Sequence, residues 1–457
     1  MQTGIQRAVR NILRNAGEVA GGTGFRVIPV VHVGGQFRAA DLRQVLHDKL
    51  QTPLVPPPPT LAKRPRLSPR QMVVSVLRPG YRGVRRALAS VLPFPAAQRF
   101  LFAHPINFGL AWLVLQPWRQ TRRLIWALRP DWAVPTTANP QALDDGFGVS
   151  LDSMADHLGN RLLLLDASWS IPLWRSVERF QAAGGTTKGV IYDLVPITHA
   201  DTSVRSLRDE YSLWVREHLR LSGTFLTISR TVADQLRTYL AELTRTHPAP
   251  HGWSVTPFYL GSELDFVDPT HVPRPDVQAM FAGSEHVFIV VGSIEPRKNH
   301  GFILDAFERL WAQGSDARLV IIGRYGWKNE DVVARIEGHA QLGRRMFLVR
   351  DMADSELDYA YRQASALVIA SESEGFGLPV VEAFQRGLPV ICSDIEVFRE
   401  IADGRATFFD LASPGNLADA VANFTTAHDP AARHVRLPQH WLTWRESTEQ
   451  LLAIVLA

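Results

Sequence analysis

The sequence predicts an α/β fold made of two doubly wound, Rossmann-like domains. Three observations carry that expectation. Continuous apolar runs such as Val287-Phe-Ile-Val-Val291 and Ala366-Leu-Val-Ile-Ala370 read as parallel strands buried on both faces. Helical stretches alternate with them, as a doubly wound layer requires. The chain has 457 residues and is 46% apolar, enough for two or three domains with a sizeable core each.

Taken in order, Arg26-Val-Ile-Pro-Val-Val31, Arg161-Leu-Leu-Leu-Leu-Asp166, Lys188-Gly-Val-Ile-Tyr192 and Thr224-Phe-Leu-Thr-Ile-Ser229 read as strands of a first layer. Ser229-Arg230 precedes the helix Val232–Ala241, and its simplest role is N-capping. A second layer follows in Val287–Gly292, Arg318–Gly323, Met346–Val349 and Ala366–Ala370, with helices over 301–313, 330–340 and 354–364. His300 belongs to the start of the first of these helices. Cys392, the single cysteine, falls in a further strand, and Trp444 lies in a final amphipathic helix. With one cysteine no disulfide can form within the chain, which suits a reducing cytoplasm. Arg7, Arg10 and Arg14 interrupt every apolar run at the start, so no secretory signal is read there.

The chemistry concentrates in Glu374-Gly-Phe-Gly-Leu-Pro-Val-Val-Glu382, where two carboxylates flank a glycine-rich turn at the end of a buried strand. Glycines free the backbone amides for an anionic ligand, and Pro379 suits the first turn of a helix whose N-terminus attracts phosphate. Ligands of open α/β sheets bind beyond the carboxyl ends of strands. A molecule part phosphate and part sugar fits this arrangement, hence a nucleotide sugar. Upstream, Ser293-Ile-Glu-Pro-Arg-Lys-Asn299 follows another strand end. There Arg297 and Lys298 can hold the charge that a departing diphosphate gains. The bland alternatives are an exposed acid on an ordinary helix and a solvated basic turn.

Glu374 through Glu382, continuing into Ala383-Phe-Gln-Arg-Gly-Leu-Pro-Val-Ile-Cys-Ser-Asp394, resembles the signature of the retaining glycosyltransferases of family four, which have the GT-B fold. The resemblance covers most of 285–425 and the N-terminal half in patches. It implies that Arg297, Lys298 and Glu374 are the catalytic group. Arg297 and Lys298 would neutralise the donor diphosphate, Glu374 would hold the donor hexose, and Glu382 the ribose hydroxyls. Gly375, Phe376 and Gly377 would offer backbone groups, and Gly4, Gly292, Val349 and Leu378 complete the expected donor site. It further implies retention of configuration with no divalent metal and no cofactor beyond the donor. Acceptor-side candidates are Asp166 and Trp169 of Asp166-Ala-Ser-Trp169, Asp193 of Tyr192-Asp-Leu-Val-Pro196, and His199. For His199 a plain loop position is an equal alternative. With Gly4-Ile-Gln-Arg7, these stretches look most like bacterial mannosyltransferases of surface polysaccharide synthesis, so GDP-mannose is the first donor expected.

The expected organisation is an acceptor-side domain over 1–265, a nucleotide-sugar domain over 266–437, and a segment over 438–457 that crosses back. Gly4-Ile-Gln-Arg7 resembles the glycine loop after the first strand of these enzymes, yet only three residues precede it. The expectation is therefore a missing first strand, from a misplaced start or a longer natural chain, with a harmless variation and a frayed terminus as the bland alternative. Residues 49–130 form a basic insertion with 14 Lys plus Arg and no acid, so the remainder carries −10 (4 minus 14). It opens on Pro56-Pro-Pro-Pro59 and holds the apolar run Phe100–Leu115, which His104, Pro105 and Asn107 interrupt, too short to span a bilayer. Basic residues beside Trp118 and Trp126 suit an anionic membrane surface or a lipid-linked glycan acceptor. A plain folded insertion is the bland alternative. Nucleic acid is not expected, since no recognition motif accompanies the charge. The location expected is cytoplasmic, peripheral at the inner membrane face. Rival readings of the whole are a GT-B sugar-nucleotide epimerase and a noncatalytic nucleotide-sugar-binding subunit.

Overall fold

The structure is a computed structural model that describes residues 4–21, 25–33, 35–40, 159–199, 205–265, 267–283, 285–429 and 440–457. The basic segment 49–130 lies outside these residues, and so do residues 430–439.

The C-terminal half forms a six-stranded, fully parallel sheet. Its strands are β7 (Val287–Val291), β8 (Arg318–Ile322), β9 (Met346–Val349), β10 (Ala366–Ile369), β11 (Val390–Ser393) and β12 (Thr407–Phe409). Their spatial order is β12-β11-β10-β7-β8-β9. The chain thus winds outward from β7 to β9, returns to the other side of β7, and winds outward again. Neighbouring connections diverge at the β7/β10 boundary and leave a crevice at the strand carboxyl ends. The continuous apolar runs follow from burial on both faces. Val287, Ile289 and Val291 of β7 pack with Leu357, Tyr361, Val381 and Phe384 of the helices Asp354–Gln363 and Leu378–Gln385. Phe288 and Val290 face the opposite core with Phe302, Phe307, Leu417 and Val421 of the helices His300–Ala312 and Pro414–Ala427. Burying one such side chain contributes about 1.5–3 kcal/mol.

The N-terminal half holds a four-stranded parallel sheet. It consists of β3 (Arg161–Leu164), β4 (Thr186–Ile191), β5 (Thr224–Thr227) and β6 (Ser254–Pro257), paired in that order. The run Arg26–Val31 departs from expectation. Only Val30 and Val31 of it are paired, and they belong to β1 (Val30–Val33), which forms an antiparallel hairpin with β2 (Gln36–Ala39) apart from the parallel layer. Gly35, at a φ of 77°, supplies the left-handed turn that folds the chain back. Gly4 likewise sits in no loop; it is the first residue of the helix Gly4–Ala20.

That helix buries Ala8, Val9, Ile12 and Ala16 along one stripe and packs on the final helix, Trp444–Leu456. The final helix begins in a capping box, with Thr443 and Glu446 satisfying each other's backbone amides. Its far end is fastened to the N-terminal sheet, where Lys188 Nζ donates to the Ile454 carbonyl (2.7 Å) and Arg161 to that of Leu456 (2.9 Å). One core runs through both lobes, from Ala8 and Ile12 through Val190 and Leu226 to Ile289 and Ile369. Among the described residues no helix is long and apolar enough to cross a membrane.

Candidate active site

β7 and β10 lie side by side at the point where strand order reverses, and each delivers charged residues into the crevice. Past β7 the chain turns at Gly292, whose φ of 150° favours glycine, and a short 3-10 turn, Pro296–Lys298, presents two cations. Past β10 comes Glu374. Arg297 Nη1 donates to Glu374 Oε2 at 2.6 Å and to the Ser373 carbonyl at 3.1 Å, while Lys298 Nζ is bonded to Oε1. Ser371 Oγ donates to the same Oε1 (2.8 Å). Glu295 pairs with the other side of the Arg297 guanidinium (2.9 Å) and accepts from Ser293 Oγ (3.0 Å). The three residues expected as the catalytic group therefore meet.

Electrostatics follow from this packing. Burial alone would raise the Glu374 pKa, but Arg297 and Lys298 overcome it and bring it down to about 2. Burial holds Lys298 below its ordinary value despite the attraction of Glu374. Burial is again the largest single influence on Arg297, but Glu374, Glu295 and Asp193 together outweigh it and raise its pKa. Asp193, on the loop after β4, faces this cluster from the N-terminal lobe. Burial raises its carboxyl, opposed by Arg297. One of its oxygens accepts from the Val195 amide (3.0 Å).

The glycine-rich turn is a point of contact between the lobes. Gly375 lies flat against the Tyr192–Asp193 backbone, where an added Cβ would overlap the Tyr192 carbonyl oxygen. Its own carbonyl accepts from Ser229 Oγ (2.8 Å). Phe376 points into the core beside Tyr259 and Trp441. Gly377, at a φ of 98°, opens the helix Leu378–Gln385, and Leu378 packs below Gly4. Val349 is buried at the end of β9, and its carbonyl accepts from the Gly323 amide (2.9 Å).

Glu382 is 2% exposed, with Oε1 bonded to Arg7 and Oε2 accepting from the Tyr361 hydroxyl (2.7 Å). Arg7 and Arg10 also face Asp265, so buried charge keys the first helix to Glu382 of the C-terminal lobe and to the stretch joining the two sheets. Of the other acceptor-side candidates, Asp166 is exposed after β3 and accepts its neighbour's amide at Ala167 (2.8 Å). Trp169 packs edge-on to Tyr211, and His199 ends the turn Val195–Thr198 beside the Thr198 hydroxyl (2.9 Å). Sequence reasoning passed over Glu295, Ser371, Tyr361 and the partnership of Arg7. Of these Glu295 had a local signal, standing two residues before Arg297 in the basic turn.

Residues 277–435 match the family described as Glycosyl transferases group 1. The serotype-specific mannosyltransferase WbdA of Escherichia coli is 33% identical over 278 residues, which are 60% of this chain and 34% of that protein. The O-antigen chain mannosyltransferase RfbU of Salmonella typhimurium is 24% identical over 280 residues, 60% of this chain and 68% of that one. Among solved structures, a UDP-forming trehalose-phosphate synthase from Burkholderia xenovorans aligns over 62% of this chain and 71% of its own, at 15% identity and a TM-score of 0.48. Residues 277–435 are thus similar to the group 1 glycosyl transferases, and the described residues form two lobes, each built on a parallel, Rossmann-like sheet. The chain spans about a third of the length of WbdA.

Proposed function

We propose that this chain is a glycosyltransferase of surface polysaccharide synthesis that moves a hexose, first of all mannose, from a nucleotide sugar such as GDP-mannose to a glycan or lipid-linked acceptor. The observation that carries this reading is the meeting of Arg297, Lys298 and Glu374 across the reversal between β7 and β10. Breaking the sugar–diphosphate bond sends the electron pair and a growing charge to the diphosphate. Two preplaced cations in a partly buried crevice stabilise that charge more in the transition state than in the ground state. On this reading the diphosphate sits at Arg297 and Lys298, and Glu374 both orders the two cations and faces the hexose. Retention of configuration without a divalent metal belongs to the same proposal, and no side chain is assigned as a nucleophile.

Glu382 serves the ribose hydroxyls if Arg7 shares or yields an oxygen, since each carboxylate oxygen has a second lone pair. Asp193 is the acceptor-side group nearest the charged cluster. The two mannosyltransferases named above support mannose as the sugar. Contact of the 49–130 segment with an anionic membrane surface remains part of the proposal.

The test is a donor screen by thermal shift with GDP-, UDP- and dTDP-sugars. A bound donor raises the melting temperature by mass action, by about 2.7 kcal/mol of stability at a hundred times Kd. GDP-mannose is expected to give the largest shift. No shift with any sugar nucleotide would refute the reading.

A further inference from the structure

The serine that caps the helix Arg230–Leu243 makes a second bond that a cap does not require. Ser229 is fully buried, and its Oγ accepts from the Val232 amide (3.2 Å) in the ordinary capping geometry. Its hydroxyl proton goes the other way, to the carbonyl of Gly375 in the opposite lobe (2.8 Å). Gly375 is the residue after Glu374, and its α-carbon rests on the Tyr192 carbonyl with no room for a side chain. One hydroxyl thereby fixes a helix end of the N-terminal lobe and the turn that carries Glu374.

A carboxylate crosses in the reverse direction at the same place. Glu400, on the helix Glu396–Ala402 of the C-terminal lobe, accepts from the amides of Arg230 (2.7 Å) and Thr231 (2.8 Å), from Thr231 Oγ1 (2.6 Å) and from the Tyr259 hydroxyl (2.8 Å). Negative charge is favoured at a helix N-terminus, and this helix takes it from the other lobe. Tyr259 in turn lies on the stretch joining the two sheets, where its carbonyl accepts from Ser447 of the final helix (2.6 Å).

We propose that Ser229 is a positioning residue for the transfer reaction, holding the Glu374–Gly375 turn in register with the acceptor-side lobe, with Glu400 locking the two lobes in that register. This rests on the donor-site reading given above. Arg297 is also held by Glu295 and the Ser373 carbonyl, all within the C-terminal lobe, so nucleotide binding is expected to depend on Ser229 far less than turnover does. Catalysis does, because the hexose must face both Glu374 and the acceptor, and small misplacements of reacting groups are costly.

The test uses the full chain with Ser229→Gly, because glycine caps a helix nearly as well as serine but has no hydroxyl for Gly375. Melting temperature, the Kd for GDP by calorimetry, and turnover of GDP-mannose read as GDP released are measured together. If another donor wins the screen, that donor and its diphosphate replace them. The expected result is a melting temperature close to that of the unaltered protein, a diphosphate Kd within about twofold, and kcat lower by about tenfold, the effect of one lost hydrogen bond. Glu400→Gln, which keeps the shape and removes the charge, is expected to lower kcat while sparing Kd in the same way. Wild-type turnover in Ser229→Gly overturns the proposal, and so does a parallel loss of Kd, kcat and melting temperature, which would mark a merely structural role. Failure of the unaltered protein to bind any diphosphate would instead overturn the donor-site reading itself.

Discussion

Strand order in the six-stranded sheet reverses between β7 and β10, whereas the four described strands of the N-terminal sheet run one way from β3 to β6. That difference decides where charge can gather. At the reversal two strand ends meet, and there Arg297 pairs with Glu295 and Glu374 while Lys298 pairs with Glu374. In the N-terminal sheet the ends of β3 and β4 close on local partners. Asp166 takes its neighbour's amide, Asp193 caps the turn that follows it, and Tyr192 donates to the Leu165 carbonyl (2.8 Å). One lobe builds a charged site and the other builds a wall against it, joined at Gly375, Ser229 and Glu400.

The largest expected effect tests the charged side. Glu374→Ala leaves two largely buried cations without their shared partner. Transfer is expected to fall by ~10²–10³-fold and stability by about 3 kcal/mol, read from kinetics and from urea unfolding. A variant with nearly full activity would dissolve the contrast between the lobes.

Arg7→Met tests whether the first helix is held by charge or by its apolar stripe. Glu382 would keep Tyr361 as its partner but lose its cation, for an expected loss of about 3 kcal/mol. Adding Glu382→Gln should restore part of it, a coupling that a double-mutant cycle measures. Strict additivity would mean that Ala8, Val9 and Ile12 hold the helix unaided.

Among the described residues, His218 of the N-terminal lobe and His300 of the C-terminal lobe are buried histidines held neutral. Burial brings both pKa values down from 6.5 to about 4; Lys298 adds to the effect at His300, and the Thr224 carbonyl opposes it at His218. Because the folded values lie below the ordinary one, the unfolded chain takes up protons first on acidification. Their stabilisation is complete above pH 6.5 and is lost as pH falls toward 4, at most about 3 kcal/mol each. His218→Gln and His300→Gln should each flatten the unfolding free energy over that window. An unchanged pH slope in both would contradict the burial argument.

The smallest effect compares two glycines. A Cβ on Gly375 would overlap the Tyr192 carbonyl, so Gly375→Ala is expected to cost about 1–3 kcal/mol. A Cβ on Gly4 would stand 3.6 Å from Leu378 Cδ1, an ordinary contact, and Gly4→Ala should be close to neutral in thermal unfolding.

What could be read from the sequence divides along the same line. The C-terminal strands and the meeting of Arg297, Lys298 and Glu374 were legible because each lies in a short local pattern at a strand end. The hairpin at β1 and β2 was misread as part of the parallel layer, although Gly34-Gly35 between two strand-like runs is itself a hairpin signal. Arg7 with Glu382, Ser229 with Gly375, and Thr231 with Glu400 were not legible at all. These pairs are 375, 146 and 169 residues apart, and no periodicity or spacing links such distant positions. Ser229 shows the limit well, since its cap was readable and its second bond was not.

The central claim is that the crevice at the β7/β10 reversal holds a nucleoside diphosphate through Arg297 and Lys298. Calorimetric titration of GDP, UDP and dTDP into the unaltered protein and into Lys298→Ala tests it most directly. Saturable binding of one diphosphate, weakened at least about tenfold by the substitution, is the predicted result. Equal binding by the two proteins, or no binding by the unaltered one, would contradict it.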